Sequence, residues 1–520
     1  MDCSNRRTFL TRAAAGSALV AAAPVLAAPP TAAGQLFCAP LIPFRTSLSV
    51  SPFTEAVLSQ VALSDGPFTA RTVRQVQDLY LRHGATEIYA RIATRKVAPQ
   101  GAVADHGWAR GLERARLARD MDLPFNPEIG LWAEYGDGGN YQQPPDFRDY
   151  PQIRLPGPWT SLSLEQMLPP IRQYAALVAK QILATGARVP IWDIGNEVES
   201  GIAAVTVHPL TPNGPYLPPD KVDPVIGRMS TAQLMKMPEK DRIAWSRAHL
   251  WPYIGRIIGA AAEGIRSVAP GAKFSTHISP LGAKTSAVHL AFFETLKEAG
   301  FMPDQFGFSY YPGLGKSKGG PADTFAWFKE TASALKARYG RPVFIAEGGV
   351  ASSVMPPPFT FNDPIEKYGL NEADQYAFNR DLIAWGAQAG CLAGYRPWAP
   401  DLCVGAVWAP MSWFDQQGKL AMAKPVMRAF EDGLPSLYLQ VGKPAGGALP
   451  ISARVNRGDL NHAVVELLRD GRAVATAPLP RLGTNWMRTE LNAGRGGDVI
   501  AVRNRGRTIL ERRIGLQRPG

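Results

Sequence analysis

Short apolar runs alternate with amphipathic stretches from Thr46 to about Phe430, which predicts an α/β fold: a (β/α)8 TIM barrel of eight parallel strands. Two further observations support it. Val189-Pro-Ile-Trp-Asp-Ile-Gly-Asn-Glu197 and Arg341-Pro-Val-Phe-Ile-Ala-Glu347 are strand-forming runs that each break at a carboxylate. In such a barrel, functional groups collect on the rim where the strands end. The chain has 520 residues, enough for a barrel of about 250–400 residues and a small second module.

The first 27 residues are not part of the fold. Asn5-Arg6-Arg7-Thr8-Phe9-Leu10 is a twin-arginine pattern, followed by an apolar stretch from Ala13 to Ala23 and small residues ending at Ala27. That layout is expected to be a cleaved export signal, placing the mature protein in the periplasm or outside the cell. The apolar run is shorter than the ~20 residues a membrane span needs, and no later segment qualifies. Residues 28–45 are a Pro/Ala-rich lead, and 46–432 are assigned to the barrel. Its strands are expected near 47–52, 86–92, 123–129, 189–195, 272–278, 304–310, 342–346 and 402–408. The clearest helices are Thr72–His83, Leu164–Ala184, Asp241–Val268, Ala287–Ala299, Thr324–Tyr339 and Glu372–Ala389.

Three long Pro-rich segments, 132–158, 205–238 and 354–369, each follow a strand at the same rim. Loops of that length are uncommon unless functional; they either wall a groove for an extended substrate or decorate the surface. From Pro435 the texture changes. Short alternating runs such as Ala463-Val-Val-Glu-Leu-Leu468 and Asp498-Val-Ile-Ala-Val502 are separated by Gly-rich turns. They predict a small antiparallel β-sandwich over 436–520.

Charge and cysteines bound the function. Net charge is +12, and residues 441–520 hold 14 Lys and Arg against 6 Asp and Glu, so the surplus is concentrated in the last module. Either that module contacts an acidic polymer or it presents a solvated basic face. Nothing signals a nucleic-acid partner. Gly315-Lys316-Ser317 is not a phosphate loop, because that motif needs Gly where Tyr310 stands. Seven histidines lie scattered without ligand spacing and no Cys-x-x-Cys occurs, so neither metal nor cofactor is expected. Beyond the signal remain Cys38, Cys391 and Cys403. Cys391 and Cys403 are close enough in sequence to bridge; three unpaired buried thiols are the alternative.

Glu197 and Glu347, at the ends of the fourth and seventh strands, are the equipment for cleaving a glycosidic bond with retained configuration. That chemistry needs a nucleophile and a proton donor roughly 5 Å apart. One carboxylate must be ionised and its partner protonated, and proximity of two acids raises one pKa. Glu197 is assigned as acid/base and Glu347 as nucleophile, with Asn196 on the sugar 2-hydroxyl.

Ile194-Gly195-Asn196-Glu197, Phe306-Gly-Phe-Ser-Tyr-Tyr-Pro312 and Tyr339-Gly-Arg-Pro-Val-Phe-Ile-Ala-Glu347 resemble motifs of glycoside hydrolase family 53 on its fourth, sixth and seventh strands. These are the arabinogalactan endo-β-1,4-galactanases of clan A. Trp132-Ala-Glu-Tyr-Gly136, with Gln142 and Gln143, is similar to that family's loop after strand three, and Val407-Trp408-Ala409-Pro410 more loosely to its Tyr-Trp-Glu-Pro ending. The resemblance covers about residues 46–430 and implies the same roles for Glu197 and Glu347. Two departures bear on the sugar. The family's Asp-Phe-His-Tyr-Ser-Asp run on strand three is here Phe125-Asn-Pro-Glu-Ile-Gly130, with Glu128 a candidate replacement contact, and Ala409 stands where a Glu is common.

Supporting positions follow from placement. Arg91, ending strand two, is expected to keep Glu347 ionised; an ordinary ion pair is the alternative. Tyr310 and Tyr311 alternate, so one faces the mouth and donates to Glu347 while the other is core. His277 either contacts substrate or is a satisfied core histidine. Trp408 is either a sugar platform or a packing residue, and Trp132 is a candidate substrate contact. The expectation is an exported retaining hydrolase of a galactan-like polysaccharide; the alternatives are a clan A β-glycosidase of different sugar specificity and a non-catalytic carbohydrate-binding barrel.

Overall fold

The computed structural model describes residues 34–137, 142–209, 220–279, 283–314, 317, 319–321, 323–492 and 496–514. The export signal expected at 1–27, the start of the lead, and Gly315 with Lys316 lie outside them. Eight parallel strands form one curled sheet, in chain order Arg45–Thr46, Ile88–Ile92, Phe125–Ile129, Trp192–Ile194, Phe274–Ile278, Gln305–Tyr310, Val343–Gly348 and Leu392–Pro397. They are called strands one to eight below. Each pairs with the next from two to eight, and eight pairs with one. Between one and two the seam is closed by Thr86 N–H on the Thr46 carbonyl (3.0 Å) and Tyr89 N–H on Ser49 Oγ (3.0 Å). The fold is a TIM barrel.

Strand eight corrects the expectation from sequence: it is Leu392–Pro397, not 402–408. Gly, Arg and Pro inside Leu392-Ala-Gly-Tyr-Arg-Pro397 argue against a strand when read locally. The barrel interior explains the Arg. Arg396 is buried there, 3.0 Å from Asp193 Oδ2, with its guanidinium 3.6 Å over the Tyr89 ring. Arg45 at the other end bonds Glu87 (2.9 Å), Asn126 (2.6 Å) and Gln305 (2.6 Å). The interior is therefore a ladder of paired ions instead of apolar layers, and each buried charge needs its partner.

The apolar core lies outside the strands, under the helices. Phe306, Phe308 and Tyr310 of strand six point outward, with ring centroids 4.5 Å from Phe293, 5.7 Å from Phe328 and 4.3 Å from Phe328. Each buried phenylalanine of this kind contributes about 1.5–3 kcal/mol. Helices Leu164–Ala184, Thr324–Tyr339 and Glu372–Ala389 match the expected bounds. The stretch 241–268 is two helices, Glu239–His249 and Trp251–Val268, broken at Leu250, where Pro252 supplies no backbone N–H. Helix Trp108–Asp120, not anticipated, connects strands two and three. Gly264 lets Trp251–Val268 approach Leu164–Ala184 closely; a Cβ there would stand 2.2 Å from the Arg172 carbonyl oxygen.

A small sheet not foreseen from sequence joins Ala62–Asp65 and Phe68–Ala70 to Phe414–Gln417 and Leu420–Ala423. At the C-terminus two four-stranded antiparallel sheets face each other across Leu437, Leu439, Ile451, Val465, Leu479 and Val502. Gln35–Pro40, within the Pro/Ala-rich lead, is an outer strand of one of them, paired with Ser436–Val441. Cys38, Cys391 and Cys403 are all buried and free, so no Cys391–Cys403 bridge forms. No described helix is long and apolar enough to cross a membrane.

Candidate active site

The sequence turns sharply where strand four ends. Gly195 has φ +77, and a Cβ there would fall 2.3 Å from Val198 Cγ1. Glu197 follows with φ 48 and ψ 56, a left-handed conformation that costs a non-glycine residue on the order of 1 kcal/mol or more. This strained turn raises the Glu197 side chain into a cavity of about 640 Å3 at the strand ends, a size suited to a small ligand. Glu347, Tyr135, Tyr311, Trp398 and Trp408 line the same cavity.

The two glutamates have different surroundings. Glu347 Oε2 is 2.6 Å from Arg91 Nη2, and Oε1 accepts a 2.6 Å hydrogen bond from Tyr311 Oη. Arg91 is itself buried; its Nε donates to Glu128 Oε1 at 2.6 Å and its guanidinium lies 4.5 Å beneath the Trp398 ring. Glu197 is buried at the same cavity, beside Glu347. Burial first, and then the negative charges of Glu347, Asp137 and Glu199, push its carboxyl well above the ordinary carboxylate range. One acid is thus held in an ion pair and the other favours its proton.

Asn196, His277 and Arg91 lie below the cavity floor. Asn196 is fully buried; its Oδ1 accepts from Arg91 Nη2 (2.7 Å) and His277 Nε2 (2.8 Å), and its Nδ2 donates to the Gly136 carbonyl (2.7 Å). The expected contact to a sugar 2-hydroxyl is therefore absent from the cavity surface, and the side chain acts as a strut. Burial pushes the His277 ring down to about 3, so it is neutral and structural. The alternation across strand six is resolved as expected: Tyr311 reaches Glu347, and Tyr310 turns away to donate to the Thr324 carbonyl at 3.1 Å. Tyr310 is thus no substrate contact.

Trp132 is also removed from the substrate surface. It is wholly buried, with Gly130 packed flat on its ring and His106 at 6.0 Å. Glu128, the candidate replacement for a lost sugar contact, is fully buried and engaged by Arg91 and by Tyr89 Oη at 2.9 Å. Trp408 does line the cavity, packed on Phe359 at 4.9 Å and Phe361 at 5.8 Å.

Three residues were passed over in the sequence. Trp398 follows strand eight directly, and the misplaced strand hid it. Tyr135 lies in the Trp132–Gly136 run, where no periodicity marks which aromatic faces the cavity; its ring stacks on His106 at 5.4 Å and its hydroxyl donates to Asp137 at 3.0 Å. Glu199, two residues beyond Glu197, accepts the Ser279 N–H at 2.9 Å, and burial pushes its carboxyl up to about 8. Among the described residues no cluster of three or more His, Cys, Asp or Glu is arranged to hold a metal ion.

Residues 146–384, which carry strands four to seven and both glutamates, match the family model of glycosyl hydrolase family 53. The chain is similar in structure to the glycoside hydrolase family 53 catalytic domain of Ignisphaera aggregans: TM-score 0.55 at 16% identity, over 75% of this chain and 96% of that one. A structure from a study of two fungal β-1,4-galactanases matches with TM-score 0.52 at 15% identity, over 74% of this chain and 98% of its own. At these identities the structural likeness is one of fold. No curated protein matches the chain. The chain is thus a glycoside hydrolase barrel that is similar, over residues 146–384, to glycosyl hydrolase family 53.

Proposed function

We propose that this glycoside hydrolase cleaves β-glycosidic bonds of a galactan-like polysaccharide with retained configuration, using Glu347 as nucleophile and Glu197 as acid/base. One observation carries the assignment: two glutamates line one cavity, Glu347 ion-paired and hydrogen-bonded, Glu197 with its carboxyl raised by burial and by its neighbour's charge. Attack of the Glu347 carboxylate on the anomeric carbon breaks the bond to the leaving oxygen, which takes the Glu197 proton. Glu197, now a carboxylate, removes a proton from a water molecule as the water oxygen attacks the same carbon, and Glu347 departs as carboxylate. Arg91 and Tyr311 hold the nucleophile in line, and the aromatic faces of Trp398 and Trp408 are placed to stack on a sugar ring.

The galactan reading rests on the family match and on the fungal β-1,4-galactanases as fold neighbours. A clan A β-glycosidase of different sugar specificity is the second reading, favoured by the burial of Glu128 and Trp132, which leaves strand three without a sugar contact of its own. We further propose export through the twin-arginine signal, and contact of the basic residues 441–520 with an acidic polymer. The deciding experiment incubates the mature protein with galactan, arabinogalactan, mannan and xylan, resolving product sizes and following anomeric configuration by NMR. Initial release of β-configured oligosaccharides from galactan is expected. Initial α-products, or full turnover in both Glu197→Gln and Glu347→Gln, would refute the assignment.

A further inference from the structure

We propose that the mouth of this site binds an apolar substituent carried by the glycoside, an aryl group of about benzyl size, beside the sugar itself. The inference deepens the hydrolase reading and rests on it. Four large apolar side chains stand exposed among the described residues: Val97 (67%), Val103 (61%), Val354 (69%) and Phe359 (40%). All four belong to loops at this one rim. Val97 and Phe359 line the cavity that holds Glu197 and Glu347, and Val103 stands between Ala102 and Ala104, which line it as well. Val354 lies on the Phe359 loop, next to Met355 of the apolar cluster that also contains Phe361 and Met411.

The cavity is divided by chemistry. The loop after strand two contributes Val97, Ala98 and Pro99, and the loops after strands seven and eight contribute Phe359, Phe361 and Trp408. Tyr135, Asp137, Glu197 and Ser279, from the loops after strands three, four and five, make up a polar sector. Arg95, the charged member of the first wall, is paired with Glu134. Aromatic faces alone would suit a bare pyranose, but an aliphatic wall offers a sugar hydroxyl neither donor nor acceptor, and desolvating that hydroxyl without a partner costs free energy. A ligand with one polar and one apolar end satisfies both sectors. Continuity of the apolar wall with the two carboxylates makes its occupant part of the substrate and not a docked protein.

Binding separates this from turnover. In the Glu347→Gln protein, calorimetry compares the benzyl and methyl β-glycosides of β-1,4-galactobiose, whose leaving alcohols have similar acidity. Benzyl is expected to bind roughly tenfold more tightly, the scale a hydrophobic pocket extracts from a few added carbons. Adding Val97→Asn and Phe359→Asn, both exposed positions, should bring the two affinities together, with thermal melting confirming an intact fold. Equal affinities before those changes, a preference that survives them, or binding of neither glycoside would each overturn the inference. Galactan hydrolysis by the unaltered protein is measured alongside. Its presence with equal affinities removes only the apolar subsite, whereas its absence removes the galactan reading.

Discussion

Arg91 Nη2 lies 2.6 Å from Glu347 Oε2, and the guanidinium that makes this contact is buried, with Glu128 2.6 Å from its Nε. The ion pair thus extends from the cavity into the barrel interior, with one guanidinium bridging two carboxylates against the Trp398 ring. Lysine cannot reproduce that fork. Arg91→Lys is expected to lower kcat on the order of a hundredfold with a smaller change in KM, because orientation of Glu347, the proposed nucleophile, matters most in the transition state. Steady-state kinetics on soluble galactan checks it; an unchanged kcat would remove Arg91 from the machinery.

Tyr310 and Tyr311 give a paired test. Tyr311→Phe deletes a hydrogen bond to a carboxylate, worth about 1.5–3 kcal/mol, so turnover should fall roughly ten- to a hundredfold with folding intact. Tyr310→Phe deletes only the bond to the Thr324 carbonyl. It should cost about 1 kcal/mol of stability and leave turnover alone. The reverse pattern would mean the strand faces have been misassigned.

As the proposed acid/base, Glu197 should set the alkaline limb of activity. Its folded pKa stands above the ordinary 4.5, raised by burial and then by Glu347, so the proton it donates is present at low pH and lost as pH rises through the shifted value. Glu347→Gln removes a neighbouring negative charge and should lower the Glu197 pKa, which carboxyl-region infrared titration can follow. The same linkage predicts a stability trade-off. The buried carboxyl stabilises the fold fully only below its unfolded pKa, and that contribution fades as pH rises through the folded one. Glu197→Gln should therefore raise Tm at pH 8 by about 1–2 °C while abolishing turnover. A lower Tm would contradict the burial argument.

A second titration lies far from the cavity. His83, 3.1 Å from Asp65 and 3.6 Å from Glu431, is raised to about 9: burial opposes its charge, but the Glu431 and Asp65 carboxylates outweigh it. Glu431 also accepts from Tyr438 of the C-terminal module at 3.1 Å, so the cluster joins the barrel to the sandwich. A raised folded pKa means stability fully present below about 6.5 and lost as pH rises through about 9, on the order of 3 kcal/mol. Denaturant unfolding at pH 6, 7.5 and 9 should show that decline, and His83→Gln should flatten it.

Much of the site was legible because its signals are local. A strand-forming run that breaks at Asn196-Glu197, another that ends at Glu347, and a period-two alternation that opposes Tyr310 to Tyr311 each need only neighbours in sequence. The same holds for helices such as Thr324–Tyr339, closed by Gly340 in a left-handed turn. Strand eight was not legible, because Arg396 reads as solvent-facing until Asp193, 203 residues away, supplies its partner. Trp132 and Glu128 looked like sugar contacts for the converse reason: polarity and aromatic area announce a residue type, but burial depends on what packs over it.

The amino-acid order alone determined the barrel, its carboxylate-bearing strand ends and the β-sandwich that follows, since periodicity and strand breaks are properties of consecutive residues. Only the tertiary structure decided which side chains surface in the cavity and which brace it from below. Charge pairing and close packing bring together groups from Arg91, Glu128, Asn196, His277 and Glu347 that lie up to 256 residues apart, and no local pattern encodes that meeting.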